Sequence, residues 1–135
     1  MQRERQTCKS RIRIAEHRRC GKNIALLKAL QLNAPMFSHV VIFWTDTEQP
    51  NATQELLDGA EKYLRPIPGV LSFHIGKMAT SERPVVDQSY QVALNIVFPD
   101  KKTQDEYQVH PMHVEFIEKV FKRVCKKVVV YDFGE

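Results

Sequence analysis

Two predicted strands of this chain are apolar on both of their faces, which limits how the chain can fold. Side chains alternate between the two sides of a strand, so such strands need cover from both sides. A single layer of helices can cover only one of them. The first strand has Val40, Ile42 and Trp44 opposite Phe37, Val41 and Phe43, and the last has Val128 and Val130 opposite Val129, Tyr131 and Phe133.

The order of the predicted elements indicates an α+β domain. Segments rich in β-branched and aromatic residues alternate with segments that have a helical apolar stripe. The sequence β-α-β-β-α-β is typical of a ferredoxin-like subunit. The predicted strands are 37–45, 70–78, 90–98 and 126–133, a helix runs from Asn51 towards Pro66, a short helix lies within 100–109, and Pro111 begins a longer helix.

A ferredoxin-like subunit leaves one face of its sheet without helices. The 36–135 segment can bury only about two thirds of its unfolded surface alone, and an uncovered apolar face normally marks an interface. We therefore expect a homodimer in which two open sheet faces pack together, because two-fold dimers are the commonest assembly. The alternative is a monomer whose N-terminal segment covers the sheet, but the charge of that segment disfavours it.

The positive charge of the chain is concentrated in a basic leader, residues 1–35. It carries nine Lys or Arg and two Asp or Glu. The domain predicted for residues 36–135 carries eleven Lys or Arg and fourteen Asp or Glu. This balance argues against a nucleic-acid partner for the domain. The leader could be a disordered arm, an Arg-rich targeting segment, or sequence upstream of a true start at Met36. The abrupt change of pattern at Met36 favours the third interpretation.

The cysteines and the hydropathy bear on location. The three cysteines, Cys8, Cys20 and Cys125, form no C-x-x-C pair, which favours a reducing, cytoplasmic setting over a disulfide framework. The chain has no run of about 18 apolar residues, so no membrane span is expected.

The segment from Tyr107 to Val124 contains the residues most suited to chemistry. Pro111 places His110 at or near a helix N-cap, and spacing places His113 on the buried stripe of the helix. A buried imidazole beside Tyr107 suits proton abstraction next to a carbonyl, with the phenol donating to the oxyanion. The structural alternative is that each is a half-buried polar side chain with a satisfied hydrogen bond.

Two further histidines complete the candidate site. His39 shares a strand face with Val41 and Phe43, and we predict that His39 and His110 contact the ligand. A metal site is less favoured, because zinc needs three or four converging ligands. No glycine-rich loop or other cofactor motif is present in the sequence, so no cofactor is predicted.

Four segments give the chain a family resemblance. MFSHVVIFW, IPGV, HPMH and VVVYDF resemble the stress-responsive dimeric α/β-barrel (Dabb) family over residues 36–135. The resemblance implies a ferredoxin-like subunit that forms a barrel-like homodimer. The family includes plant olivetolic acid cyclase, an intramolecular aldol enzyme to which this chain is similar at Tyr107, His113 and His39. The chain departs from it at Ala60, where a second pocket tyrosine is expected.

The sequence therefore leaves three functions open. The first is a stress-responsive domain that binds a small hydrophobic molecule between helices and sheet, with His113 as base and Tyr107 as donor in cyclase-like chemistry. The second is a non-catalytic homodimeric binding protein, in which the histidines serve only the fold. The third, less favoured, is a cofactor-independent oxygenase-like enzyme.

Overall fold

The structure, a computed structural model, describes residues 34–135. The predictions for the leader lie outside the described residues. The elements in chain order are β1 (Phe37–Thr45), α1 (Ala52–Tyr63), β2 (Ser72–Lys77), β3 (Val92–Phe98), α2 (Lys101–Val109), α3 (Pro111–Phe116), a π-helical segment (Ile117–Phe121), α4 (Lys122–Val124) and β4 (Cys125–Gly134).

The four strands form one antiparallel sheet in the order β2-β3-β1-β4. β1 lies in the interior between β3 and β4, so β2 and β4 are the two edges of the sheet as the described residues form it. The predicted α+β, ferredoxin-like architecture is confirmed, with a single four-stranded sheet and its helices. The first strand begins and ends at the predicted residues, Phe37 and Thr45.

The core lies between the helices and one face of the sheet. On β1 the odd-numbered residues from His39 to Thr45 are buried, whereas the intervening residues are half-buried. β3 shows the same alternation, with its even-numbered apolar side chains buried. The largest fully buried side chains are Tyr107, Phe98, Phe116, Leu56, Leu64, Leu94, Ile96, Val92 and Val124. The helix-covered face thus has a continuous apolar core, as the alternating pattern predicts.

The opposite face of the sheet, here called the open face, is apolar but not covered by the helices. The strand register places on it Ser38, Val40, Ile42, Trp44, Ser72, His74, Gly76, Ala93, Asn95, Val97, Lys127, Val129, Tyr131 and Phe133. Tyr131 and Phe133 are 60% and 62% exposed. Among these residues only Lys127 carries a fixed charge, and its ammonium lies over the Trp44 ring. The both-sided apolar pattern therefore corresponds to one packed face and one open face.

The start of α1 differs from the prediction. From the sequence, Asn51 followed by Gln54 three residues later predicts a capping box. This prediction is wrong, because Asn51 makes no side-chain hydrogen bond to the helix. Asn51 has φ −103° and ψ 0°, whereas a capping side chain normally projects from extended backbone. The Ala52 N–H instead donates to the Gln49 carbonyl, at 3.2 Å. A backbone turn thus begins this helix.

Three strand boundaries also differ from the prediction. β2 and β3 are shorter than the segments 70–78 and 90–98, and β4 is longer than 126–133. Gly69 keeps the chain in a turn before β2, with a φ of +91°. Only glycine adopts such a positive φ easily. A register shift between Trp44 and Thr45 lets β4 pair from Cys125 onwards. Turn and bulge geometry, rather than composition, sets these ends.

The second helical region is divided into several short elements. Asp100 caps α2 by accepting a hydrogen bond from the Thr103 N–H at 2.7 Å. His110 ends α2 and begins α3, and a π-helical segment then interrupts the longer predicted helix.

Within residues 34–135, no helix combines the length and apolar character that a membrane span requires.

Candidate functional site

A cavity of about 170 Å³ lies between the helices and the covered face of the sheet, and its most exposed lining residues, Val128 and Val130, are on β4. Strand side chains form one wall, and helical side chains form the other. The lining residues are His39, Val41, Phe43, Leu64, Leu94, Tyr107, Gln108, His113, Phe116, Ile117, Phe121, Val128 and Val130. Three of the four residues that the sequence predicts for the site are among them.

The polar end of the cavity is built around Tyr107. The centroid of its ring lies 5.0 Å from that of His113 and 6.3 Å from that of His39, both in edge-to-face geometry. Tyr107 belongs to α2 and His113 to α3, and the sharp corner between these helices turns the two rings towards each other. The structure thus brings together His39, Tyr107 and His113.

His110 forms that corner instead of lining the cavity. Its backbone is extended, with φ −61° and ψ 138°, as expected for a residue that precedes proline. Its Nδ1 accepts a hydrogen bond from the Met112 N–H at 3.1 Å. The imidazole is therefore an N-cap for α3, as the sequence predicts, and the structure does not bring it to the lining of the cavity.

His39 is held by a carboxylate on the neighbouring strand. Its Nδ1 lies 2.6 Å from Asp132 Oδ1, and the two residues are directly paired across β1 and β4. A carboxylate accepts, so Nδ1–H donates, and in the neutral ring this leaves Nε2 as the acceptor. Gln108 Nε2 lies 3.5 Å from that second ring nitrogen. Asp132 therefore fixes the orientation of a buried imidazole whose other nitrogen faces the cavity side chains.

Asp132 and Gln108 are site residues that the sequence interpretation missed. Asp132 lies within the VVVYDF segment but follows a run of apolar residues, and its partner is 93 residues away. Gln108 follows Tyr107 directly. One signal could have found Asp132, namely that antiparallel pairing of the first and last strands aligns a histidine near the start of one with an acid near the end of the other.

Burial sets the protonation states at the polar end. It lowers the pKa of His113, chiefly through desolvation of the imidazolium, with the nearby His39 acting in the same direction and backbone hydrogen bonding to Gln108 opposing it. Burial also raises the pKa of the Tyr107 phenol. At neutral pH the two groups are therefore a neutral imidazole and a protonated phenol, which can accept and donate a proton respectively.

The other end of the cavity is apolar. Phe43 and Phe121 meet there edge to face, with ring centroids 6.2 Å apart, and Leu64 is buried beside them in the lining. Val128 and Val130 form the lip on β4 and are 37% and 46% exposed. A ligand with a polar group at one end and a hydrocarbon part at the other matches this division.

The metal hypothesis finds no support in the side-chain arrangement. Within residues 34–135, no three His, Cys, Asp or Glu side chains are close enough together to hold an ion. His110 is occupied as a helix cap, and His39 Nδ1 is occupied by Asp132.

Comparison with known proteins identifies relatives of the whole described domain. Residues 37–135 match the family described as the stress responsive A/B barrel domain. The chain is similar to the stress-response A/B barrel domain-containing protein At5g22580 of Arabidopsis thaliana. The two are 32% identical over 99 residues, which cover 72% of this chain and 84% of the relative.

Solved structures agree with the fold. A Dabb family protein with a ferredoxin-like fold from Mesorhizobium loti superposes with a TM-score of 0.59 and 26% identity, covering 73% of this chain and 95% of that chain. A dimeric ferredoxin-like protein of unknown function from Bacteroides fragilis superposes with a TM-score of 0.60 and 16% identity, covering 74% and 96%. On its family match and its identity to the plant relative, the chain belongs to the stress-responsive A/B barrel domain family.

Proposed function

We propose that this domain binds a small, hydrophobic, carbonyl-bearing molecule in its cavity and acts on it by acid/base chemistry. The observation that carries the proposal is the juxtaposition of His113 and Tyr107, 5.0 Å apart between ring centroids, at the polar end of an otherwise apolar cavity. Small-molecule sites typically combine apolar walls with a few convergent polar groups. Specific similarity to olivetolic acid cyclase stays a prediction.

The proposed chemistry is abstraction of a proton from the carbon next to the carbonyl. Neutral His113 takes the proton, the electron pair of the C–H bond moves to form the enolate, and Tyr107 donates a hydrogen bond to the enolate oxygen. Burial favours the required form of each group, because it lowers the pKa of His113 and raises that of Tyr107. The enolate carbon can then attack a second carbonyl of the same molecule in an intramolecular aldol step. The new C–C bond forms as the π bond of that carbonyl opens to an alkoxide, which takes the proton that His113 holds.

His39 has an orienting role in this proposal. The Asp132 carboxylate fixes the ring through Nδ1, so Nε2 is available as an acceptor beside Gln108. An acceptor and an amide donor next to each other can hold a substrate hydroxyl or a second carbonyl in place. His110 contributes indirectly, since its cap stabilises the corner that brings Tyr107 and His113 together.

The volume of the cavity limits the ligand. A cavity of about 150 Å³ accommodates benzene in another protein, and this cavity measures about 170 Å³. We therefore infer that the enclosed part of the ligand is one aromatic ring or a short chain. Any larger part projects past Val128 and Val130, the most exposed lining residues.

Hydrogen–deuterium exchange tests the proton abstraction directly. Acetophenone carries one ring, one carbonyl and exchangeable methyl protons, so its NMR signal in D2O reports enolate formation. We expect the wild-type protein to accelerate the exchange and His113→Ala to lose about a hundredfold or more of that acceleration. Tyr107→Phe should reduce the rate while acetophenone still binds, because it removes only the donor to the oxyanion.

A matched control separates chemistry from fold. His110→Asn keeps a capping side chain at the start of α3 and does not touch the cavity, so exchange should remain close to wild type. Exchange that is unchanged in His113→Ala would reject His113 as the base. Acetophenone binding without exchange in the wild-type protein would favour the non-catalytic alternative.

We also propose that the chain forms a homodimer through the open face. Exposed apolar side chains such as Tyr131 and Phe133 would be buried there, and Lys127 is the only fixed charge that the strand register places on this face. A nearly uncharged face can meet its own copy across a two-fold axis without like-charge repulsion. The Bacteroides fragilis neighbour, which is described as dimeric, supports the proposal.

A non-catalytic binding protein is the second candidate function. The observation that favours it is that His39 and His110 both have structural partners, Asp132 and the Met112 N–H. In this alternative His113→Ala changes stability more than acetophenone affinity.

The sparse, odd set of cysteines favours a reducing compartment such as the cytoplasm under either function.

A further inference from the structure

Strand β4 has a different task on each of its faces. Asp132, Val130 and Val128 pair with His39, Val41 and Phe43, so they lie on the covered face with the cavity. Val128 and Val130 form its lip, and Asp132 holds the His39 ring. One face of β4 therefore supplies both a wall of the cavity and the support of a polar side chain within it.

The alternate residues of the same strand lie on the open face. Val129 is half-buried, whereas Tyr131 and Phe133 are 60% and 62% exposed. Each lies next in sequence to a residue that serves the cavity. Successive side chains of a strand project to opposite faces, so the backbone of β4 cannot shift on one face without shifting on the other.

β4 is also the less supported part of the cavity. Within residues 34–135 it is an edge strand, with β1 as its one neighbour in the sheet. The side chain of Asp132 remains 38% exposed although its partner His39 is 6% exposed. Edge strands with exposed backbone hydrogen bonds and few buried contacts open locally at low free-energy cost. Opening of β4 would release His39 and remove the lip of the cavity together.

From this geometry we infer that the cavity is complete only when a second copy packs on the open face. The inference rests on the proposed homodimer. Burial of Tyr131 and Phe133 against the partner fixes β4, and β4 then fixes Asp132, His39 and the lip formed by Val128 and Val130. Dimer formation and ligand binding are therefore coupled, and each strengthens the other by the same factor.

Two variants break the dimer from different places on the open face. Tyr131→Asp puts a carboxylate on β4, and His74→Asp puts one on β2, at the opposite edge of the sheet. Neither side chain lines the cavity. Sedimentation velocity gives the fraction of dimer, and circular dichroism confirms that each variant is folded. Dilution of the wild-type chain until it dissociates to the monomer gives the same comparison without any substitution.

Two readouts follow the state of the cavity. One is the affinity for acetophenone, which should fall about tenfold or more on conversion to monomer, a coupling within the usual range. The other is the ¹⁵N NMR signature of the His39 ring, which needs no ligand. In the dimer His39 should be a fixed Nδ1–H tautomer, and in the monomer the signals should average between tautomers.

The outcomes separate this inference from the proposals on which it rests. Loss of affinity and of the fixed tautomer in the monomer of both variants supports the coupling. If affinity and the fixed tautomer are lost in Tyr131→Asp but kept in monomeric His74→Asp, the Tyr131 substitution disturbs β4 locally. That result overturns the coupling. If the dimer dissociates and neither readout changes, the coupling is overturned but the homodimer stands. If the wild-type chain stays monomeric at every concentration, both the homodimer and the coupling are overturned.

Discussion

The two imidazoles of the cavity are held by different means. His39 is paired with a carboxylate across two strands, whereas His113 projects from a short helix into an environment that desolvates it. An ion-paired or hydrogen-bonded imidazole keeps one orientation, and a desolvated one stays neutral. In the proposed function, this difference gives His39 the orienting role and His113 the proton transfer.

Burial of His113 predicts a pH dependence of stability. Its pKa is lowered in the folded chain, so the unfolded chain binds a proton more readily once the pH falls below about 6.5. The free energy of unfolding should therefore decrease as the pH falls through this window. His113→Gln removes the contribution, so its stability should decrease less between about pH 7.5 and pH 5.5, as measured by urea denaturation. Equal decreases in both proteins would contradict the prediction.

Single residues also show how far the sequence could predict the site. Tyr107 and His113 lie six residues apart, and local helix geometry around Pro111 was enough to indicate that they meet. The pairing of His39 with Asp132 depends on the register of β1 against β4, over 93 residues of chain. A slip of one residue would move Asp132 to the other face, so composition alone could not assign it.

The helix starts offer a matched comparison at the level of elements. Asp100 caps α2 through the Thr103 N–H, whereas Asn51 makes no such hydrogen bond at α1. Asp100→Ala should therefore lower the thermal midpoint, and Asn51→Ala should have little effect, because only the first removes a capping acceptor. Differential scanning calorimetry measures both. A larger loss in Asn51→Ala would show that the backbone turn before α1 depends on that side chain.

The close approach of α1 to the π-helical segment gives a second prediction for the elements. A Cβ added at Gly59 would lie 2.8 Å from both γ-carbons of Val120, far inside van der Waals contact. Gly59→Ala should therefore lower the free energy of unfolding by about 1–3 kcal/mol, although alanine has the higher helix propensity. Urea denaturation provides the measurement.

The partner substitution tests the cause of that loss. Val120→Ala removes the γ-carbons that the new methyl group would meet, so the double variant should lose less than the two single variants together. Purely additive losses would mean that Gly59 is required for another reason. Periodicity predicted α1 and the apolar stripe of the second helical region, but not the π-helical segment, since one extra residue in a helical turn leaves no clear signal in a single sequence.

At the scale of the whole molecule, the main unfavourable feature of a single chain is the exposure of apolar side chains to water on the open face. The sequence predicted this face correctly, because strict alternation on β1 and β4 determines which side chains project from each side. It did not predict that the lip of the cavity is formed by the same edge strand. Strand order and the position of the helices had to be known for that.

A dimer held together by these faces should have a stability that depends on protein concentration. When folding and association are coupled, the melting temperature rises with concentration by mass action. For two domains of this size the expected rise is about 3 °C for each tenfold increase, given the usual entropy of unfolding per residue. Scanning fluorimetry of the full chain over a hundredfold range measures it. A melting temperature that is independent of concentration would instead indicate a monomer whose apolar face is covered within one chain.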